Sequence, residues 1–174
     1  LVGANFSEKP EQDIALALEH ARKSVVIEDQ DPFCHYALGR AEAFSFHHDK
    51  AELELKRAIA LNPSYAHAYH VLAHLYMMTP GGDAEVSLEL MDEAIRLSPR
   101  DPLLWVFEHM KGVTLLNLNR NDEALKWMEK AAAYPNAGFW AFSGLAAAQS
   151  ALSHLDDAAK ALARALEVNP NLSQ

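Results

Sequence analysis

The sequence predicts an all-α protein, a right-handed α-solenoid of helix-turn-helix hairpins, and three observations carry that reading. A short signature recurs at roughly 34-residue spacing. It reads Lys-Arg-Ala-Ile-Ala-Leu-Asn-Pro ending at Pro63, Asp-Glu-Ala-Ile-Arg-Leu-Ser-Pro ending at Pro99 and Ala-Arg-Ala-Leu-Glu-Val-Asn-Pro ending at Pro170, with a degraded copy ending at Pro135. Repeats of this length stack so that each buries its apolar face against its neighbours. Half of the residues are hydrophobic, with Leu and Ala dominant, as close-packed helices require. The 7 Gly and 8 Pro fall mostly between the periodic segments, where breakers belong.

Taken in order, Pro10 to Asp29 reads as a lone second helix of a hairpin, with Ala17 and Ser24 at its small positions and Val25-Val26-Ile27 as its apolar end. The next repeat opens at Pro32 and carries Leu38-Gly39, Ala51, Ala58 and Pro63. Small residues at these places let the two helices approach closely, and the proline stops the second one. The following repeat has Leu72-Ala73, Ala94 and Pro99; its extra length falls in Pro80-Gly81-Gly82-Asp83, where Gly permits positive φ and Asp83 is a helix cap. The next has Gly112, Ala124 and Ala131, with Asp101-Pro102 expected to cap and open its first helix and Asn121-Asp122-Glu123 its second. The last has Leu145-Ala146, Asp156-Asp157-Ala158, Ala165 and Pro170. The expectation is one array over 1–174, a half repeat at 9–29 and full repeats at about 32–65, 66–101, 102–136 and 137–170, nine helices in all. The apolar positions Leu155, Leu162, Leu166 and Val168 of the last helix are expected to lie partly open, which points to pairing with a second copy or to a longer native chain.

This pattern resembles the tetratricopeptide repeat over nearly the whole chain. The stretches Ala58-Ile-Ala-Leu-Asn-Pro63 and Arg96-Leu-Ser-Pro-Arg-Asp-Pro102, with Phe139-Trp140, further resemble the repeat regions of multidomain bacterial regulators. Those regulators carry a class III adenylate/guanylate cyclase or a winged-helix domain beside the repeats. The resemblance implies a sensor, docking or oligomerisation module, and no catalytic residue transfers, because no cyclase or winged-helix segment is present. The class of these repeats that clamps chaperone tails needs several cations on the first helices. The matching positions here are Tyr36, His70, His109 and Ser143, then Arg40, His74, Val113 and Ala147, so Arg40 is the one strong cation. A dicarboxylate tail wants several fixed donors, and chaperone-tail binding is not expected.

First helices line the concave groove of such arrays. By register the expected peptide- or partner-binding residues are Phe33, Tyr36, Arg40, His67, His70, His74, His109 and Trp140. Aromatic rings supply contact area and their polar atoms set orientation. His67, His70 and His74 fall within roughly 60° on one helix face. The His70/His74 spacing suits two ligands of one Zn2+, so a metal site is the low-ranked alternative; no cofactor is expected. Joint protonation of such a cluster is opposed, which would make a groove pH-responsive. Cys34 and the rings of Trp105, Phe107, Trp127 and Phe142 read as packing, and His47-His48 as solvated turn.

Composition excludes other classes. A formal charge of −9 leaves no basic stripe for nucleic acid and disfavours anionic membranes. The uncharged run Ala137 to Leu155 is too polar for a membrane span. A single cysteine permits no intrachain disulfide, and with no export signal this places the chain in the cytoplasm. No Gly-x-Ser-x-Gly, P-loop or Gly-x-Gly-x-x-Gly occurs, so no enzyme is expected. The expected function is a protein-interaction scaffold, with homo-oligomerisation through the last helix as its competitor.

Overall fold

The computed structural model describes residues 9–173. Its regular structure is nine α-helices and a closing 3-10 turn, with no strand among the described residues. The helices are α1 (Pro10–Ile27), α2 (Pro32–Phe44), α3 (His48–Leu61), α4 (Ala66–Met78), α5 (Ala84–Leu97), α6 (Leu104–Asn117), α7 (Asn121–Ala132), α8 (Phe139–Ala151) and α9 (Leu155–Val168). The chain divides into two compact units, Leu1–Gly82 and Asp83–Gln174. The division falls inside the loop where the second repeat carries its extra length.

In the first unit, each helix packs on its neighbour in sequence, and α2 also touches α4. Pro10 and Pro32 open their helices at the first turn, where a missing N–H costs nothing. Asp31 caps α2 by accepting from the Phe33 amide at 2.8 Å. The α1–α2 seam is Ala21, Leu38 and Ala41, flanked by Leu18, Val25 and Ala37. Between α2 and α3, Gly39 lies so close to Leu55 that a Cβ there would stand 2.7 Å from the leucine Cγ. Glu42, buried on α2, accepts from Arg22 of α1 at 2.9 Å and pairs with His47 Nδ1 at 2.6 Å. His48 Nδ1 meets Thr79 Oγ1 at 3.0 Å. His47 stays exposed in the turn before α3, as expected, whereas His48 lies half-buried in the first turn of α3 and is bonded into the fold, which corrects the expectation for that residue.

In the second unit, α5 to α9 pack in succession, and α6 also reaches α8. Asp83 caps α5 by accepting from the Glu85 and Val86 amides, as its place before the apolar run implied. Leu88, Leu115 and Ala124 form one core cluster, and Trp105, Ala131 and Ala141 another. Asp101 does not cap α6 as expected. It accepts from the Leu103 amide at 2.8 Å within a preceding turn, and α6 begins at Leu104 with Leu103 in the capping place.

Three of the hairpin turns share one backbone device. Phe46, Asn119 and Ser153, each five residues before a buried alanine (Ala51, Ala124, Ala158), all take left-handed φ, +58°, +58° and +63°. Asn tolerates that conformation, whereas a bulky side chain there costs about 1 kcal/mol or more. Phe46 is also 80 % exposed, so burial does not offset the strain.

Candidate functional site

The first unit carries six of the eight expected contact residues on α2 and α4. Phe33 stands in the first turn of α2 and is 60 % exposed. Its ring lies 6.2 Å from that of Tyr36, and Tyr36 meets Tyr65 edge-on at 5.0 Å. His67 closes the group at 6.3 Å from Tyr36 and 6.5 Å from Tyr65. Arg40, one turn beyond Tyr36, donates from Nη1 to its hydroxyl at 3.3 Å and lies 5.8 Å from the Phe44 ring. No carboxylate pairs with this half-buried guanidinium among the described residues. Burial pushes the Tyr65 hydroxyl up to about 12, helped by Tyr36 and Asp31 and opposed by Arg40. The Tyr65 hydroxyl therefore stays neutral.

Two of the expected residues take a different role from the one the register suggested. Tyr36 is buried and supports the cluster from beneath rather than presenting an open ring. His109 is 8 % exposed because Gly144 of α8 brings its backbone against the imidazole; a Cβ on Gly144 would lie 2.7 Å from the ring. His109 is thereby a packing residue of the second unit, not a lining one. Trp140, on α8, is half exposed and lies 4.4 Å from the buried Phe139 ring. His70 and His74 are partly buried on α4, and burial holds His74 below the ordinary imidazole range. Among the described residues no three His, Cys, Asp or Glu side chains are placed to share a metal ion, so the zinc alternative is not carried forward.

Sequence reasoning missed Tyr65, which precedes α4 and belongs to no first-helix position. Its signal was the aromatic type so soon after Pro63. It also missed a small hollow of about 190 Å3 walled by His48, Asp49, Glu52, Tyr76 and Thr79, where the Tyr76 hydroxyl donates to Glu52 at 2.6 Å. Trp127 is half-buried between two ammonium groups, Lys111 at 4.3 Å and Lys130 at 4.0 Å from its ring centroid. Such contacts add to packing where water is partly excluded.

A titratable group of the second unit makes a prediction here. Glu108 is 7 % exposed, and its Oε2 has no hydrogen-bond partner among the described residues. Burial pushes its carboxyl above the ordinary 4.5, while Lys130 and a hydrogen bond with Tyr134 oppose the rise. The folded state therefore holds the proton more tightly than the unfolded one. Its stabilising contribution is complete below pH 4.5 and is lost as pH rises through the folded-state value. Glu108→Gln is expected to stabilise the protein by about 1 kcal/mol at neutral pH and to flatten the pH dependence of unfolding. Chemical denaturation across pH tests this; an unchanged slope defeats it.

These hairpins, with small residues between paired helices and a proline beyond each second helix, define the tetratricopeptide class of helical repeat fold. The chain's own likenesses agree. A tetratricopeptide repeat family model matches residues 109–135. No curated protein matches the sequence. Among solved structures, the chain is similar to TTC0263, a thermophilic tetratricopeptide protein of Thermus thermophilus, at 25 % identity and TM-score 0.78, covering 90 % of this chain and 84 % of that one. It is also similar to MamA, at 18 % identity and TM-score 0.72, covering 95 % and 94 %, and to MamA of Desulfovibrio magneticus, at 15 % and 0.72, covering 92 % and 88 %. Likeness at this level shows the fold. Among the described residues no helix is long and apolar enough to cross a membrane.

Proposed function

We propose that this chain is a non-catalytic partner-binding module whose contact face lies on α2 and α4 of the first unit. The observation that carries the reading is the exposed Phe33 ring set on the Tyr36, Tyr65 and His67 cluster, beside a guanidinium that no carboxylate pairs with among the described residues. Phe33 offers apolar area to bury, and Arg40 offers directed donors; together they suit a peptide or partner helix with one large side chain and one acceptor nearby. His67, His70 and His74 extend the face along α4. Trp140 is a separate contact on the second unit. Tetratricopeptide folds generally mediate contacts between proteins, and the likeness to bacterial regulators favours a cytoplasmic module that governs an attached signalling domain.

The test uses Phe33→Ala/Arg40→Ala, which spares the buried Tyr36. Captured partners from the source cell's lysate are compared with those of wild type. Loss of a partner by the double variant, at unchanged helix content, is the expected result. A tenfold or greater loss is expected when two such anchors are removed. Full retention of every partner overturns the reading.

A further inference from the structure

Every arginine but one among the described residues is exposed, and Arg22, Arg96, Arg120 and Arg164 each pair with a glutamate. Arg40 is the half-buried exception, and among the described residues its hydrogen bonding is the 3.3 Å donation to the Tyr36 hydroxyl. Helices α2 and α4 carry no other Lys or Arg, and their one carboxylate, Glu42, is already held by Arg22 and His47. Glu54, on the neighbouring α3, is held by His35 at 2.6 Å. In a chain of formal charge −9, this face thus carries one fixed positive charge for which the described residues supply no counter-ion.

Water satisfies that guanidinium while the face is open. A ligand that settles on Phe33 and runs along α2 covers Arg40 as well, and a covered charge is tolerated only with a counter-charge. We infer that the partner segment carries an Asp or Glu side chain that pairs with Arg40 while a large apolar side chain packs on Phe33. This rests on the contact face proposed for α2 and α4 and names the chemistry that face recognises. A planar carboxylate matches the guanidinium fork, and such charge-assisted bonds are about twice as strong as bonds between neutral groups. Phosphate groups are taken by clusters of arginines, and this face has a single one. A chain-terminal carboxylate is captured by free backbone amides, whereas Arg40 stands inside α2, where the amides are committed to the helix.

The helix also sets the spacing and the direction of the partner segment. Phe33 and Arg40 lie on α2, about 10 Å apart along its axis. An extended segment covers that distance in about three residues and a helical one in about seven. Asp31 accepts from the Phe33 amide at the first turn of α2. The acid of the ligand therefore belongs at the Arg40 end, about 13 Å along the helix from that like charge, beyond the range at which salt leaves exposed charges unscreened.

Selection from a displayed library of random peptides, long enough for either spacing, tests this with wild type, Phe33→Ala, Arg40→Glu and Arg40→Gln as baits. Circular dichroism verifies that each bait keeps its helix content. Peptides selected by wild type are expected to share a large apolar residue and an Asp or Glu at one fixed spacing. Arg40→Glu is expected to select Lys or Arg at that same position, and Phe33→Ala to lose the apolar preference alone. For one selected peptide, Arg40→Gln and an acid-to-amide change in the peptide are each expected to weaken binding about tenfold. The two changes together are expected to cost no more than either alone, because they break the same pair. Wild-type peptides that lack an acidic position, yet are lost with Phe33→Ala, overturn the carboxylate and leave the contact face standing. Arg40→Glu peptides that keep the acid overturn it as well. Peptides insensitive to both positions, or a library that yields no binder to wild type, overturn the face and the carboxylate together.

Discussion

Leu55→Ala is expected to cost the first unit about 3–5 kcal/mol of stability. Leu55 is fully buried in the middle of α3, and its side chain fills the space that Gly39 leaves on α2. Both facing positions would then be small, and neither Gly39 nor Ala51 can grow into the gap. The partial collapse seen at forgiving sites depends on mobile neighbours; here the facing surface is helix backbone, so most of the cavity persists. Thermal or denaturant unfolding reads the loss, and a cost below about 1.5 kcal/mol, the level of a tolerated swap, would show that α2 closes on α3. The double variant Gly39→Ala/Leu55→Ala discriminates further. The nearest atoms to a Cβ at Gly39 are the Leu55 Cγ at 2.7 Å and the Ala51 carbonyl and Leu55 Cδ2, each at 3.1 Å, and Leu55→Ala removes both leucine atoms and so makes room. The pair is expected to be less destabilised than the sum of its single changes.

Gly144→Val is the second large effect, at about 3 kcal/mol, from overpacking. A Cβ on Gly144 would stand 2.7 Å from His109 Cε1 and Nδ1 and from Met128 Sδ. The thioether can swing, being flexible. The imidazole is buried and cannot leave without opening the contact between α6 and α8. A branched side chain adds two further atoms in the same space. Pairing it with His109→Ala should recover a large part of the loss, since the clash partner is gone; no recovery would place the strain elsewhere.

Those two glycines mark what the sequence could and could not disclose. Gly39 was readable as the small position of a hairpin because its partners, Ala51 and Ala58, lie within the same repeat at fixed spacing. Gly144 was not, because its consequence falls on His109, one whole hairpin earlier, and buries a residue that register alone had placed on a binding surface. Caps followed the same divide. Asp31 and Asp83 sit directly before their helices and act locally, as their type implies. Asp101 was misread because an intervening turn uses its carboxylate first. The aromatic cluster was half legible: Phe33, Tyr36 and His67 lie on helix faces with a known direction, whereas Tyr65 lies between helices, where periodicity is silent. Side-chain pairings such as Glu42 with Arg22 and His47 join three elements and leave no periodic trace.

The shared left-handed residue of three hairpin turns also makes the chain convenient to label. Cys34, its single cysteine, is buried. A cysteine placed at 46, 119 or 153 would stand at the same step of the same turn each time, just ahead of the second helix. Spin labels or fluorophores attached there would report from equivalent local frames, so differences between their spectra would reflect the surroundings of each turn and not its own geometry.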